Sequence, residues 1–150
     1  MSRSVVVSLH LLREHERSPE PVPEVRATSL GLEGDVHAGR MAGKRQVLLM
    51  DANDLHDLGL RPGDLREQVT VDLAGLMQIP PGTRLGVGEA VLELTGPCEP
   101  CTHIGEHVGV EDVEAFQKTL GGRRGMLARV AAPGAIRVGD PIEVLQAEPA

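Results

Sequence analysis

The sequence predicts a mainly β fold, a barrel or folded sheet of short strands with two or three small helices. Short β-branched or alternating apolar segments recur along the chain, and 18 Gly and 11 Pro among 150 residues supply frequent turns between them. A doubly wound sheet requires strands and helices to alternate regularly, and the patterns in this sequence do not. A chain of this length is most simply one domain, residues 1–150, with a core large enough to fold without cross-links.

For the first half of the chain, the sequence predicts strands that are separated by loops and one helix. Strands are expected within residues 3–12, at the start of 25–40, at 45–50 and within 66–76. The stretch RSPEPVPEV, residues 17–25, is expected to be a proline-rich loop, and a glycine-punctuated loop fills the rest of 25–40. A short helix is expected within 51–60, because Asp51 can cap it and Gly59 can end it.

The second half contains the clearest local signal, a hairpin. The alternating segments TRLGV (83–87) and AVLEL (90–94) are joined by Gly-Glu. An amphipathic helix is expected within 110–122, with Gly121 at its end, because apolar residues recur there at helical spacing. The stretch 125–145 predicts three short strands divided by APG and GDP.

Composition excludes several classes of function. The net charge of −7 argues against broad binding to DNA or RNA, which needs a dense basic surface. With one Phe and no Trp or Tyr, the chain also lacks stacking platforms for single-stranded nucleic acid. The apolar N-terminal stretch is too short for a signal peptide, and no segment approaches membrane-spanning length. We therefore expect a cytoplasmic protein in a reducing environment, with no membrane partner.

The stretch TGPCEPCTHIGEH, residues 95–107, contains both cysteines of the chain. Four interpretations are open: a zinc site formed by Cys98, Cys101, His103 and His107; a redox pair, although the βαβ context typical of such pairs is absent; two structural thiols in a constrained turn; and one activated cysteine. A thiolate would be favoured by nearby cations. Candidate sources of positive charge are His103, Arg123, Arg124 and Arg129.

Six segments then occur in an order that matches a known family. They are GLEGDVHAGR, RQVLLM, LREQVTVDLAGL, IPPGTRLGVGEAVLELTG, PCEPCTHI and GRRGMLARVAAPGAIRVGDPIEVL. Together they resemble the MOSC domain, the C-terminal module of molybdenum cofactor sulfurases, over about residues 30–145. The resemblance implies a MOSC-type β-barrel of short strands. It also implies a role with the molybdenum cofactor, a pterin that carries a phosphate and a dithiolene-bound metal.

The resemblance assigns roles to particular residues. Cys101 is implied to be the catalytic thiol, as a persulfide carrier or a molybdenum ligand, with Cys98 and His103 auxiliary. The cofactor-binding residues that it implies are Asp35, His37, Arg45, Glu67, Thr70 and Arg124. Glu67 and Thr70 match a family stretch written E-N-x-T, in which this chain has Gln68, one methylene longer than Asn. An arginine at position 124 would pair with a phosphate or a pterin carbonyl.

The chain is therefore interpreted as a stand-alone MOSC protein that binds the molybdenum cofactor. A role as a molybdenum-dependent oxidoreductase, including the reduction of N-hydroxylated compounds, or as a sulfur-transferase component would need an electron-donor or sulfur-donor protein. The motif lysine of the aminotransferase-like domain in sulfurases has no counterpart here, so pyridoxal phosphate is not expected on this chain. Two alternatives are a non-catalytic carrier or chaperone of cofactor or sulfur, and a small zinc-binding module built on the CxxCxH cluster.

Overall fold

The computed structural model describes residues 4–14, 18–39, 46–100 and 102–145. In these ranges the chain is mainly β. The strands are β1 (Val5–Leu11), β2 (Glu20–Val22), β3 (Glu24–Thr28), β4 (Gly31–Leu32), β5 (Val47–Asp51), β6 (Val69–Asp72), β7 (Arg84–Val87), β8 (Ala90–Pro97), β9 (Met126–Ala132), β10 (Gly134–Arg137) and β11 (Ile142–Leu145). The helices are α1 (Ala52–Asp57), α2 (Thr102–Val108) and α3 (Val113–Thr119), with a 3-10 turn at Leu76–Gln78.

The strands form two sheets. The large sheet has eight strands in the order β11-β7-β8-β9-β5-β6-β1-β2, and a small sheet has the order β10-β3-β4. Every pairing is antiparallel except that of β5 with β6. Parallel neighbours need a crossover connection, and α1 lies in the connection between these two strands.

The large sheet curls until its two sides approach each other. Val5 of β1 forms an isolated bridge with Pro141, just before β11. Three backbone hydrogen bonds support the approach, from Val6 N to Asp140 O (2.9 Å), Gly139 N to Val6 O (2.8 Å) and Ile142 N to Ser4 O (2.9 Å). The described ladders thus form a strongly curved sheet that does not close into a continuous barrel. The expected mainly β class is confirmed, and a closed barrel is not observed.

Apolar residues pack on both faces of the curved sheet. The main core includes residues of both sheets, such as Leu9, Leu49 and Leu92 from the large sheet and Ile136 from the small one. A second, smaller core lies under the helices and contains Met50, Leu55, Leu65, Ile104 and Leu120. The helices are therefore attached to the β5–β6 side of the sheet.

Most of the expected elements are present at the predicted positions, and four differ. The glycine-punctuated loop expected within 25–40 contains the two-residue strand β4, which pairs with β3. The expected loop 17–25 contains β2, which pairs with β1 despite Pro21 because an edge strand tolerates a missing donor. The helix expected within 110–122 is α3, which begins only after its N-cap, Asp112. The left-handed glycine beyond it is Gly122, not Gly121. Helix α2 was not expected within the cysteine cluster.

The helices are short. The three α-helices have 6, 7 and 7 residues. In the part of the chain that the structure describes, no helix has the length and apolar character that crossing a bilayer would need.

Candidate functional site

Asp35 is the centre of a buried polar network that also contains His37, Gln46 and Gln68, called here the Asp35 network. One Asp35 oxygen accepts from the backbone N–H of Leu12 at 2.8 Å. The other accepts from the His37 N–H (3.0 Å) and from the Gln68 side-chain amide (3.2 Å), and it lies 2.9 Å from His37 Nδ1. The glycine-rich loop is therefore fixed to the end of β1 and to the start of β6.

The charge of Asp35 is stabilised by these contacts. Burial favours the neutral acid, but the hydrogen bonds from the His37 ring, the backbone of Leu12 and His37, and Gln68 outweigh it and lower the pKa of Asp35. The His37 side chain keeps 30% of its surface exposed, whereas that of Asp35 has none. Of the two, His37 is the side chain that meets solvent or a ligand.

The two glutamines of the Asp35 network connect the loop to the sheet. Gln68 Oε1 accepts from the Leu48 N–H at 2.8 Å. Gln46 donates to the Ser29 carbonyl (3.0 Å) and accepts from the Val130 N–H (2.8 Å). The side chain of Gln68 thus reaches both Asp35 and β5.

Glu67 and Thr70 form a second buried group together with His10. One Glu67 oxygen, Oε2, accepts from the Thr70 hydroxyl (2.6 Å) and from the Gly63 N–H (3.0 Å). The other oxygen, Oε1, is buried without a partner in the described part of the chain, and so is Nδ1 of His10. Burial lowers the pKa of His10, with the charge and backbone of Glu67 opposing the shift. The ring is therefore neutral at neutral pH.

Arg124 lies just before β9 and is buried, with 9% of its surface exposed. Its Nη1 is buried and has no partner among the described residues. Gly125 fixes the backbone here, since it has φ +108° and a Cβ at this position would lie 2.7 Å from the Leu49 carbonyl oxygen. The Gly125 carbonyl accepts from the Cys98 N–H at 2.9 Å. This contact joins Cys98 to the residue that follows Arg124.

The predicted functional thiol, Cys101, and the predicted cofactor ligand Arg45 lie outside the described residues. The segment that leads to Cys101 is described. Cys98 is half-buried, with its thiol 3.9 Å from the Glu99 carbonyl oxygen. The Pro100 carbonyl accepts from the Gln117 side chain of α3 at 3.1 Å. Helix α2 begins at Thr102. The described residues on the two sides of position 101 are therefore Pro100, which contacts α3, and Thr102, which begins α2.

His103 lies on the exposed side of α2. Its Nδ1 is 3.3 Å from the Glu106 carboxylate, and its ring packs edge-on against that of His107, with centroids 4.7 Å apart. Cys98, His103 and His107 are all described, yet no three His, Cys, Asp or Glu side chains in the described ranges are grouped so as to hold a metal ion. These three candidate zinc ligands do not converge.

Two of the arginines considered as sources of positive charge have other partners. Arg129 donates to Glu93 at 2.9 Å, and Arg123 donates to the Thr119 carbonyl at the end of α3, at 3.2 Å. Arg123 is half-buried. Arg129 is thus paired with β8, and its role as a source of positive charge for the cysteine segment stays a prediction.

Two of the predicted cofactor-binding groups, the Asp35 network and Arg124, lie near opposite ends of β5. The Asp35 network adjoins its first residue, since Gln46 precedes Val47. Met126 of β9 is opposite Leu49 in an antiparallel register, so Arg124 lies toward Asp51. At about 3.3 Å per residue, the two ends of β5 are roughly 15 Å apart. Only an extended ligand would contact both groups.

His10 is a site residue that the sequence analysis missed. It lies between Leu9 and Leu11, which both belong to the main core. The alternation of a strand turns it to the opposite face. That signal is present in the sequence, but the Glu67 charge that acts on His10 comes from a distant part of the chain, so their proximity is recognised only in the fold.

Comparison with known proteins gives the family. The model of the MOSC domain matches residues 33–143. No curated protein matches the chain. A similar solved structure is the YuaD protein of Bacillus subtilis, with TM-score 0.84 and 21% identity, covering 95% of this chain and 96% of that one.

Two YiiM structures are also similar. YiiM of Escherichia coli has TM-score 0.69 and 22% identity over 97% of this chain and 71% of that one. YiiM of Geobacillus stearothermophilus has TM-score 0.73 and 17% identity over 95% and 75%. At these identities the likeness concerns the fold. The family match covers most of the chain, and this protein therefore belongs to the MOSC domain family.

Proposed function

We propose that this MOSC domain binds the molybdenum cofactor, with Cys101 as the thiolate that ligates molybdenum or carries sulfur. The observation that supports this most directly is Arg124. A buried guanidinium with an unpartnered donor is costly unless an anion or another acceptor completes its hydrogen bonds. A phosphate or a pterin carbonyl is such an acceptor, so the donor set fits the group.

The residues that would hold the cofactor have distinct tasks. Arg124 would donate to an anionic or carbonyl oxygen, and a soft thiolate at Cys101 suits both molybdenum and sulfur. The Asp35 network fixes the loop that presents His37. When bound, the cofactor supplies oxidation–reduction or atom transfer at its metal. Electrons or sulfur would come from a partner protein.

For the binding of an anionic ligand, individual hydrogen-bond donors matter more than the overall electrostatic field of this chain. With a net charge of −7, an anionic ligand gains nothing from long-range attraction. Binding would depend on a few positioned groups, and loss of one of them would have a large effect.

The test is elemental analysis of protein purified from a host that synthesises the cofactor. We expect molybdenum and pterin to copurify with the wild type and with Cys98→Ser, and both to be reduced in Cys101→Ser. Alkylation at neutral pH, followed by mass spectrometry, should modify Cys101 faster than Cys98.

Three other outcomes of these measurements would change the proposal. Retention of molybdenum by Cys101→Ser together with its loss from Cys98→Ser would reverse the roles of the two thiols. Zinc without molybdenum would favour the zinc module. Molybdenum that is lost on dilution would favour a carrier over a resident cofactor.

A further inference from the structure

The segment that precedes the proposed functional thiol is held by two contacts. The Cys98 N–H donates to the Gly125 carbonyl at 2.9 Å. The Pro100 carbonyl accepts from the side-chain amide of Gln117, on α3, at 3.1 Å. Both partners belong to the stretch of chain that runs from α3 to the start of β9. This stretch therefore supports residues 98–100.

The contact with Gln117 acts on the peptide group that leads to position 101. Proline has no backbone N–H, so the carbonyl is the one backbone group of Pro100 that can form a hydrogen bond. This carbonyl belongs to the peptide unit that joins Pro100 to the next residue, and a peptide unit is planar. A donor on the Pro100 oxygen therefore restrains the plane of the peptide that connects Pro100 to Cys101.

Helix α3, which carries Gln117, is fixed at both ends. Its N-cap, Asp112, accepts from the Ala115 N–H at 3.0 Å. Leu120, just after the helix, is fully buried in the smaller core, and Phe116 packs against that core. Gln117 itself is half-buried. Because the helix is already ordered by this packing, the Gln117 amide is held at the Pro100 carbonyl at a low cost in entropy.

We propose that Gln117 is a positioning residue for Cys101, which orients the Pro100–Cys101 peptide and through it the reactive thiolate. This inference rests on the proposed function, in which Cys101 is the activated thiol. A thiolate is stabilised only while cations or hydrogen-bond donors stay beside it. Without the Gln117 contact the segment gains conformational freedom, so the thiol spends less time in the surroundings that activate it.

The experiment measures alkylation of both cysteines by iodoacetamide, followed by mass spectrometry, on protein from a host that cannot make the cofactor. Gln117→Leu removes the amide, and Gln117→Glu keeps its size but cannot donate once ionised. In both variants we expect Cys101 to react about two- to tenfold more slowly at neutral pH, the effect of losing one hydrogen bond. At about pH 10 the rates should equal those of the wild type, because an ordinary thiol is also ionised there.

Two controls separate positioning from a general loosening of the segment. Cys98 is the internal control, since its N–H bonds to Gly125 and not to Gln117, and its rate should stay unchanged. Glu114→Gln, a change at an exposed position of the same helix, should alter neither rate. Melting temperatures are measured on the same preparations, and Gln117→Glu, which preserves the shape of the side chain, remains informative if Gln117→Leu disturbs packing.

The outcomes also distinguish this inference from the proposed function. If wild-type Cys101 reacts faster than Cys98 and the Gln117 variants leave its rate unchanged, the inference fails and the proposed function stands. Faster alkylation of both thiols in the variants would show a purely structural role and would also overturn the inference. The same holds for a slowing of equal size at about pH 10, which would indicate altered access. If wild-type Cys101 reacts no faster than Cys98, the thiol assignment fails and this inference fails with it.

Discussion

The buried polar groups of this protein are of two kinds, which differ in how completely their hydrogen bonds are formed. In the Asp35 network, both carboxylate oxygens and both glutamine side chains have partners. Around Glu67 and Arg124, by contrast, buried atoms lack partners in the described part of the chain. A saturated network holds the fold together, whereas an unsaturated group is suited to a bound molecule that completes it. The difference separates residues that maintain the site from residues that would contact its ligand.

The largest effect should come from breaking the saturated network. Asp35→Ala removes the acceptor for the Leu12 and His37 N–H groups and the Gln68 amide, which leaves buried donors unpaired. We expect a loss of roughly 3–5 kcal/mol in the free energy of unfolding, measured by urea denaturation. His37→Ala, at a partly exposed position, is the control and should cost much less. Equal losses in the two variants would mean that Asp35 is not the centre of the network.

The second-largest effect should be a loss of cofactor affinity when a buried group without a partner is removed. Arg124→Ala should reduce cofactor affinity by about ten- to a hundredfold, the equivalent of about 1.5–3 kcal/mol for a charge-assisted pair. Its cost in stability should be small, because the variant removes a buried donor without a partner. Arg124→Lys should recover only part of the affinity, since an ammonium lacks the bidentate geometry of a guanidinium.

Arg123→Ala is the matched control for Arg124, because its guanidinium bonds to the end of α3. Affinity and melting temperature are measured on the same preparations. If Arg124→Ala binds the cofactor as tightly as the wild type, or if Arg123→Ala loses more affinity than Arg124→Ala, the loop around Asp35 and His37 becomes the better candidate for the binding site.

A smaller effect should appear in the pH dependence of stability, because His10 and Asp35 titrate in different pH ranges. The folded pKa of His10 is lowered, so the unfolded chain binds the proton more readily and stability falls as pH drops below 6.5. The slope for one group is at most about 1.4 kcal/mol per pH unit. His10→Gln should remove it in unfolding experiments between pH 7 and pH 5. An unchanged slope would exclude His10 as its source.

The Asp35 network should respond at lower pH. The folded pKa of Asp35 is also lowered, so its contribution is complete above the unfolded value of 3.8 and is lost as pH falls through the folded value. Asp35→Asn should therefore flatten the stability curve only below about pH 4. If Asp35→Asn changed the stability curve only between pH 7 and pH 5, the range assigned to His10, this assignment would be contradicted.

The smallest expected effect is that of metal removal. A strong chelator should leave the melting temperature nearly unchanged, because the three described candidate ligands do not converge. Structural zinc contributes on the order of 10 kcal/mol to folding, so its removal would be obvious in thermal unfolding. A large drop in melting temperature would revive the zinc module.

Several elements were predictable because their signals are local. The hairpin of β7 and β8 follows from two alternating segments and a turn at Gly88, which has φ +57°. Helix α1 follows from Asp51, whose side chain accepts from the Asn53 N–H. Strand β2 was missed because proline disfavours strands on average, and only its place at the sheet edge removes that penalty.

The sequence alone determined the mainly β class, the order of most elements and the membership in the MOSC family, since these depend on patterns along the chain. It also identified Asp35, Glu67 and Arg124 as site candidates. Only the tertiary structure decided that Asp35 is saturated whereas Glu67 and Arg124 are not. Hydrogen-bond partners are drawn from distant segments, as Val130 for Gln46 and Leu12 for Asp35 illustrate. Composition and spacing contain no record of which backbone group will be within 3 Å of a side chain.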